Sequence, residues 1–372
     1  MVLLLFTAVA VVIVAALVIH FVRSRRVRFL SESISEPERW RIATRIRRAV
    51  ERAGGDDVWV KAPPYAPFPP VRAGTAVQVV VTHSRFEATL TAVQAQAAIE
   101  KLRVTSKVSR ANGPRRLVEI RIWRGSATAG SWLLEEVPQI RHAAIVIDDL
   151  GQDMDAAQRV TKLPCPITCA ILPKLTYSSP TAEEAHRSGR EVMLHLPMEP
   201  DSAAKPGPGE IRIGMGKLEV AQMIDEDLST VPFVMGVNNH MGSRATTDTK
   251  LMTSVIDALA ERHLFFVDSR TTNSSVALDV ARRRGIPTFY RSVFLDDVET
   301  VPYTLGQLRE LLRVVQEQDA ALAIGHPHPT TLKALEQFLP EFERGDIQIV
   351  PASRLLQMPV IARLSPPHEN GH

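Results

Sequence analysis

The sequence predicts an α/β protein: a parallel (β/α) barrel over the C-terminal two-thirds, preceded by a small α+β domain and an N-terminal transmembrane helix. Three observations carry this. From His142 onward, short apolar runs alternate with helical patterns, which is how a parallel sheet covered by helices reads in a sequence. Seven such runs fall within about 220 residues, which suggests a closed or nearly closed barrel, with an open doubly wound sheet as the alternative. Finally, residues 2–22 are apolar apart from Thr7 and His20, and about 20 such residues span a bilayer core.

Residues 1–22 are expected to be an uncleaved transmembrane anchor, because the stretch outlasts a usual signal-peptide core and no clear A-x-A site follows. The lipid bilayer is thus an expected partner through residues 2–22. Residues 23–56 form a basic helical juxtamembrane segment, with ten Arg against four Glu between Arg23 and Arg52. Pro37–Ala53 reads as a helix, with Ser35 as a cap and Gly54–Gly55 as the stop. Anionic headgroups suit this charge, and so does plain solvent. Arg23, Arg25, Arg26 and Arg28 follow the span and none precedes it, which the positive-inside rule reads as retention of the chain in the cytoplasm.

The five prolines of Lys61–Pro70 make a stiff connection. Residues 57–138 hold a small α+β domain: strands at Thr75–Thr82, Val104–Ser109, Leu117–Trp123 and Trp132–Glu135, a helix at Phe86–Leu102, and a turn at Asn112–Gly113. Residues 139–360 are the barrel, with apolar runs at Ala143–Ile147, Ile167–Leu172, Glu191–Leu196, Phe233–Val237, Leu264–Val267, Thr288–Tyr290 and Ala320–Ile324. Leu251, Met252, Val255, Ile256 and Leu259 share one helical face, as do Leu305, Leu308, Leu311, Leu312 and Val315. Residues 361–372 read as a flexible tail.

Composition narrows the function. At 45% hydrophobic and 23% charged, the chain is globular. A net charge of +3 with 5% aromatic residues offers no nucleic-acid partner. No G-x-G-x-x-G follows the first run, which counts against a dinucleotide site. Cys165 and Cys169, roughly 13 Å apart along a strand at about 3.3 Å per residue, are too distant for a mutual disulfide and read as core residues.

The chemistry gathers where the runs end. Asp148–Asp149 end the first, His195 to Glu199 the third, Asn238–Asn239–His240 the fourth, Asp268–Ser269–Arg270 the fifth, and His326–Pro327–His328 the seventh. Active sites of parallel α/β folds lie at the C-terminal strand ends, and mixed imidazole and carboxylate ligands suit zinc or another divalent first-row metal. Asn238 and Asn239 read either as turn residues or as contacts to sugar hydroxyls, and His328 either as a loop-shaping residue or as a substrate contact. Ser243 has no base nearby and suggests no serine nucleophile.

The strings IDDLG, HLPMEP, GVNNHMGS, FVDSRT and AIGHPHP, in this order over about residues 142–357, resemble the divergent polysaccharide deacetylases, a branch of the NodB-homology carbohydrate esterases. The resemblance implies a NodB-like distorted (β/α)7 barrel, a single metal and hydrolysis of acetyl groups on an envelope glycan, with the domain on the periplasmic or outer face of the membrane. It implies Asp148 as base, Asp149 and His195 as metal ligands, and His326 as acid. Asp268 would then orient His326, and Arg270 would orient Asp148. Where the better-known enzymes carry a second histidine, this chain has Glu199, so either Glu199 or His240 completes the metal shell. Two alternatives follow from that departure: a degenerate barrel that binds glycan without turnover, and a metal hydrolase of a non-glycan ester or amide.

Overall fold

The computed structural model describes residues 34–61, 76–110 and 115–358. The expected anchor, most of the proline-rich connection, the turn at Asn112–Gly113 and the tail lie outside the described residues. Among those described, no helix is long and apolar enough to cross a membrane. The chain divides into two compact units, the second beginning at Ile140.

In the first unit, α1 (Glu36–Gly54) is followed by β1 (Val58–Lys61), β2 (Ala76–Thr82), α2 (Phe86–Ile99), β3 (Arg103–Arg110), β4 (Arg116–Arg124) and β5 (Ala127–Val137). The sheet order is β1-β2-β5-β4-β3, with β2 and β5 parallel and the other neighbours antiparallel. The short strand β1, not expected from the sequence, buries Val58 and Val60 on alternate positions. The arginine-rich helix packs into the core of this unit. Ile42, Ile46 and Val50 recur every four residues and form one apolar stripe, which joins Val79, Val81, Ile120, Ile122 and Trp132 in a single core. Arg41, Arg45, Arg48 and Arg52 fall off that stripe and are exposed.

In the second unit the strands and helices alternate: β6 (Arg141–Leu150), α3 (Met154–Thr161), β7 (Thr168–Ile171), α4 (Ser178–Arg187), β8 (Glu191–Met198), α5 (Lys217–Leu228), β9 (Val234–Met241), α6 (Thr249–Glu261), β10 (Phe265–Asp268), α7 (Ala277–Arg284), β11 (Thr288–Tyr290), β12 (Val293–Phe294), α8 (Val301–Gln318), β13 (Ala320–Gly325), α9 (Pro329–Arg344), β14 (Ile347–Ile349) and α10 (Ala352–Leu356). The parallel sheet runs β11-β10-β9-β8-β7-β6-β13-β12, and β14 pairs with β6 beside β7. The seven expected runs all lie on strands, and β12 and β14 add two that are too short to stand out by periodicity.

Both faces of this sheet are buried, which is why the strands are apolar without alternation. Ala143, Ile145 and Ile147 face the helices, packing with residues such as Val160, Leu311 and Leu335. Ala144 and Val146 point the other way, into a second cluster with Met193, Phe265, Val267, Phe289 and Leu322. Leu355 and Leu356 of α10 join that inner cluster. The start of α10 is pinned to the N-terminal ends of β7 and β8, where Ala352 N donates to Thr168 Oγ1 and Ser353 N to Glu191. The barrel is thus plugged at the end opposite the predicted site. Its seam lies between β11 and β12 and is crossed by two consecutive residues: Arg291 N donates to Asp268 O on one side, and Ser292 N to Leu322 O on the other. Cys165 and Cys169 are buried and free, and burial pushes both thiols up to about 12.

Candidate metal centre at the strand ends

The first site element is a bulge. On β6 the pairing with β7 jumps from Ile147↔Cys169 to Leu150↔Ile171, so Asp148 and Asp149 oppose the single residue Ala170. Asp149 takes a left-handed backbone, φ 58°. A bulge re-aims side chains, and here it turns two consecutive carboxylates toward one histidine: His195 Nε2 lies 3.5 Å from Asp148 Oδ2 and 3.3 Å from Asp149 Oδ1.

On β9, Asn238 and His240 are two apart and share a face, and β8 brings His195 into register with Asn238. His240 Nδ1 lies 3.1 Å from Asp149 Oδ1 and 3.0 Å from His195 Nε2. Asp149, His195 and His240 therefore present three donor atoms to one point. Donors held about 2.0–2.2 Å from a tetrahedral ion stand roughly 3.3–3.6 Å apart, close to the spacing seen. Asp149 Oδ1 is buried and has no well-directed hydrogen-bond partner, a costly state for a carboxylate oxygen unless a cation meets it. The donor set fits a divalent metal.

A second layer orients these groups. His195 Nδ1 and Asn238 Oδ1 are 2.9 Å apart. An amide oxygen only accepts, so the imidazole proton sits on Nδ1 and Nε2 turns its lone pair to the centre. Asn238 Nδ2 donates to Asp148 Oδ1 at 2.9 Å and to Ser269 Oγ at 3.2 Å. Asn238 is fully buried and its amide is spent on this bridge, so it is not a sugar contact. Asn239 is also buried: its Nδ2 donates to Met241 O, and its Oδ1 accepts from Ser269 N. Both asparagines tie β9 to its neighbours.

Three expectations are corrected. Glu199 is not in the donor cluster. Its carboxylate accepts from Ile213 N and from Arg244 Nη1, both at 2.8 Å, because the chain leaves β8 and carries it past the centre to brace a loop; His240 supplies the second imidazole. Asp268 does not orient His326. Its carboxylate accepts from Arg270 N and Ser275 Oγ. The partner of His326 is Asp296, whose Oδ1 lies 3.0 Å from His326 Nδ1 and whose Oδ2 accepts from His326 N and from Thr331 Oγ1. Asp296 follows β12, the strand missed in the sequence; the cue was the short apolar run Val293–Phe294–Leu295 ending in an acid. Arg270 does not orient Asp148, since Asn238 does that, and the Arg270 guanidinium lies instead over the Tyr290 ring at 5.7 Å.

His326 Nε2 stands 3.7 Å from Asp149 Oδ2, at the edge of the cluster. His328 caps α9 and lines, with Asp149 and His326, a groove of about 500 Å³. The electrostatics separate the two aspartates. Burial pushes the Asp148 carboxyl above its ordinary range, against the pull of His195 and His326. Burial would raise Asp149 too, but His195 and His240 outweigh it and hold it well below the usual carboxylate range. For His326, burial works against the charged form, yet Asp296, Asp148 and Asp149 prevail and push it up to about 9. The two neighbouring acids thus shift in opposite directions: Asp149 stays ionised, while Asp148 is able to take a proton.

Residues 145–356 match the model of the family described as divergent polysaccharide deacetylase. The chain is 38% identical over 207 residues to an uncharacterised Haemophilus influenzae protein, covering 56% of this chain and 74% of that one. It is 35% identical over 224 residues to the uncharacterised protein YibQ of Escherichia coli, covering 60% and 70%. The crystal structure of an uncharacterised Agrobacterium tumefaciens protein superposes with a TM-score of 0.56 at 22% identity, over 58% of this chain and 89% of that one, a likeness that shows the fold. The family match spans more than half of the chain and takes in the whole cluster from Asp148 to His328: this chain belongs to the divergent polysaccharide deacetylase family.

Proposed function

We propose that the C-terminal unit is a metal-dependent hydrolase that removes acetyl groups from a glycan. The observation that carries the reading is the convergence of Asp149, His195 and His240 on one point, around a buried carboxylate oxygen with no well-directed hydrogen-bond partner among the described residues. A divalent ion held there, zinc by the chemistry of its donors, supplies a Lewis acid that polarises the acetyl carbonyl and makes water a nucleophile near neutral pH.

The protein's own groups do the rest. Asp148, raised by burial and fixed by Asn238, accepts the proton of the attacking water. As the water oxygen bonds to the acetyl carbon, the bond to the sugar nitrogen or oxygen breaks, and His326 gives that leaving atom its proton. Asp296 holds the His326 ring through Nδ1, which leaves Nε2 toward the centre and keeps the imidazole charged at neutral pH.

The experiment strips the protein with a chelator, restores zinc, counts bound metal, and measures acetate released from N- and O-acetylated glycan fragments. Wild type takes up one ion per chain and releases acetate. Asp149→Asn loses both ion and turnover, whereas Asp148→Asn keeps the ion and loses turnover by roughly 10²–10⁴-fold. A stripped protein that takes up no ion sinks the reading.

We further propose that residues 2–22 anchor the chain in a bilayer with this unit on the outer face. The apolar run supports the anchor, and the family's glycan chemistry supports the face, against the arginines that follow the span. A C-terminal reporter active only in the cytoplasm would contradict it.

A further inference from the structure

Arg270 has a placement that catalysis as described does not use. It follows β10 in a left-handed backbone conformation, φ 47°, a region that non-glycine residues rarely occupy and that clusters at functional sites. The fold holds it there from both sides. Buried Asp268 accepts from Arg270 N at 2.8 Å, and Arg291 Nη2 donates to Arg270 O at 2.8 Å. The outcome of this bracing is a guanidinium with no hydrogen bond and no ion pair among the described residues, resting over the Tyr290 ring at 5.7 Å. The guanidinium of Arg291, beside it, donates to the carbonyls of Ser269 and Arg270.

This guanidinium, without an ion pair, belongs to a residue lining the same cavity, of about 370 Å³, as Asp148, His195, His240 and Asp297. The volume is in the range of small-ligand sites. Arg270 also lines an adjoining cavity of about 400 Å³, so its fork stands between the catalytic groups and a second space. Arginine's planar donors match a carboxylate in bidentate fashion, and a ring face beneath a guanidinium limits its approach to the edge that is left open.

We propose that Arg270 recognises a carboxylate on the substrate, so that the acetylated glycan is an acidic one, with its sugar-acid group beside the residue that carries the acetyl. The part of this concerning acetyl rests on the deacetylase reading; the anion site does not.

The test uses the full chain, both zinc-loaded and chelator-stripped, titrated calorimetrically with glucuronate, with its neutral amide glucuronamide, and with a sugar 1-phosphate. Glucuronate is expected to bind roughly 10- to 100-fold more tightly than the amide, the usual scale for a charge-assisted pair. Arg270→Gln erases that difference and Arg270→Lys keeps part of it. The preference persists in the stripped protein, which assigns it to Arg270 and not to the ion. Equal binding of acid and amide, binding of neither, a preference present only with zinc, or tighter binding of the phosphate overturns the proposal. Acetate release from N-acetylated disaccharides bearing a uronate or its amide is measured in parallel: Arg270→Gln lowers the kcat/KM ratio toward one mainly through KM. Discrimination in binding with no acetate released from either overturns the deacetylase reading and leaves the anion site standing.

Discussion

At the scale of single residues, Asn238 decides more than any exposed group. One amide accepts from His195 Nδ1 and donates to Asp148, so it sets the tautomer of one and the orientation of the other together. Asn238→Leu keeps the volume and removes both bonds. Metal affinity is expected to fall about 10- to 100-fold, as for other outer-layer partners of metal ligands, measured by competition with a chromogenic chelator; unchanged affinity would show that His195 needs no such support. His326 gives a pH signature. In the metal-free protein it titrates at about 9, against about 6.5 in an unfolded chain. A raised histidine pKa contributes stability that is fully present below about 6.5 and is lost as pH rises through about 9. The thermal midpoint of chelator-treated wild type should therefore decline across that window, and less so in His326→Gln. Parallel declines would remove His326 from the linkage.

At the scale of elements, the site is made by irregularities at the ends of regular strands. Asp149, Met241 and Arg270 each take a left-handed backbone, φ 58°, 52° and 47°, at or just past the ends of β6, β9 and β10. Strain of this kind persists only where the surroundings over-determine it, and here the flanking strands are buried on both faces. The packing also makes a prediction with two signs. A Cβ on Gly236 of β9 would lie 2.3–2.4 Å from ring atoms of Phe265. Gly236→Ala should lower stability by about 1–3 kcal/mol through overpacking. Gly306, in α8, meets nothing within 4 Å, so Gly306→Ala should raise stability by about 0.4–1 kcal/mol. Urea unfolding of the two variants checks both signs. The elements themselves were largely readable, because both barrel and helices advertise themselves by apolar periodicity. Three strands escaped: β1 has four residues, β12 two and β14 three, too short for alternation to carry information.

At the scale of the molecule, each unit owns a core: Ile46, Ile120 and Trp132 belong to one, and the barrel's inner and outer clusters to the other. Every group of the proposed site comes from the second unit. A fragment beginning at Ile140 should therefore unfold cooperatively in thermal circular dichroism and bind one divalent ion per chain. A fragment that is soluble but binds none would assign part of the site to the first unit. The apolar stripe of the arginine-rich helix belongs to the first of these cores, and its arginines lie off that stripe.

The sequence by itself determined the parallel α/β class, the end of the barrel at which the chemistry gathers, and the acids and imidazoles that gather there. These are properties of local pattern: continuous apolar runs, and the residue type that follows each. The tertiary structure alone decided who partners whom. His240 and not Glu199 completes the donor triad, because Glu199 has already left β8 and is held by Arg244. Asp296 and not Asp268 holds His326, because β12 and β13 are neighbours while Asp268 is spent on the Arg270 backbone. Asn238 and not Arg270 orients Asp148, because strand register sets a buried amide between Asp148 and His195. Contacts across strands depend on register and on a single-residue bulge, and neither leaves a trace in the spacing of residues along the chain.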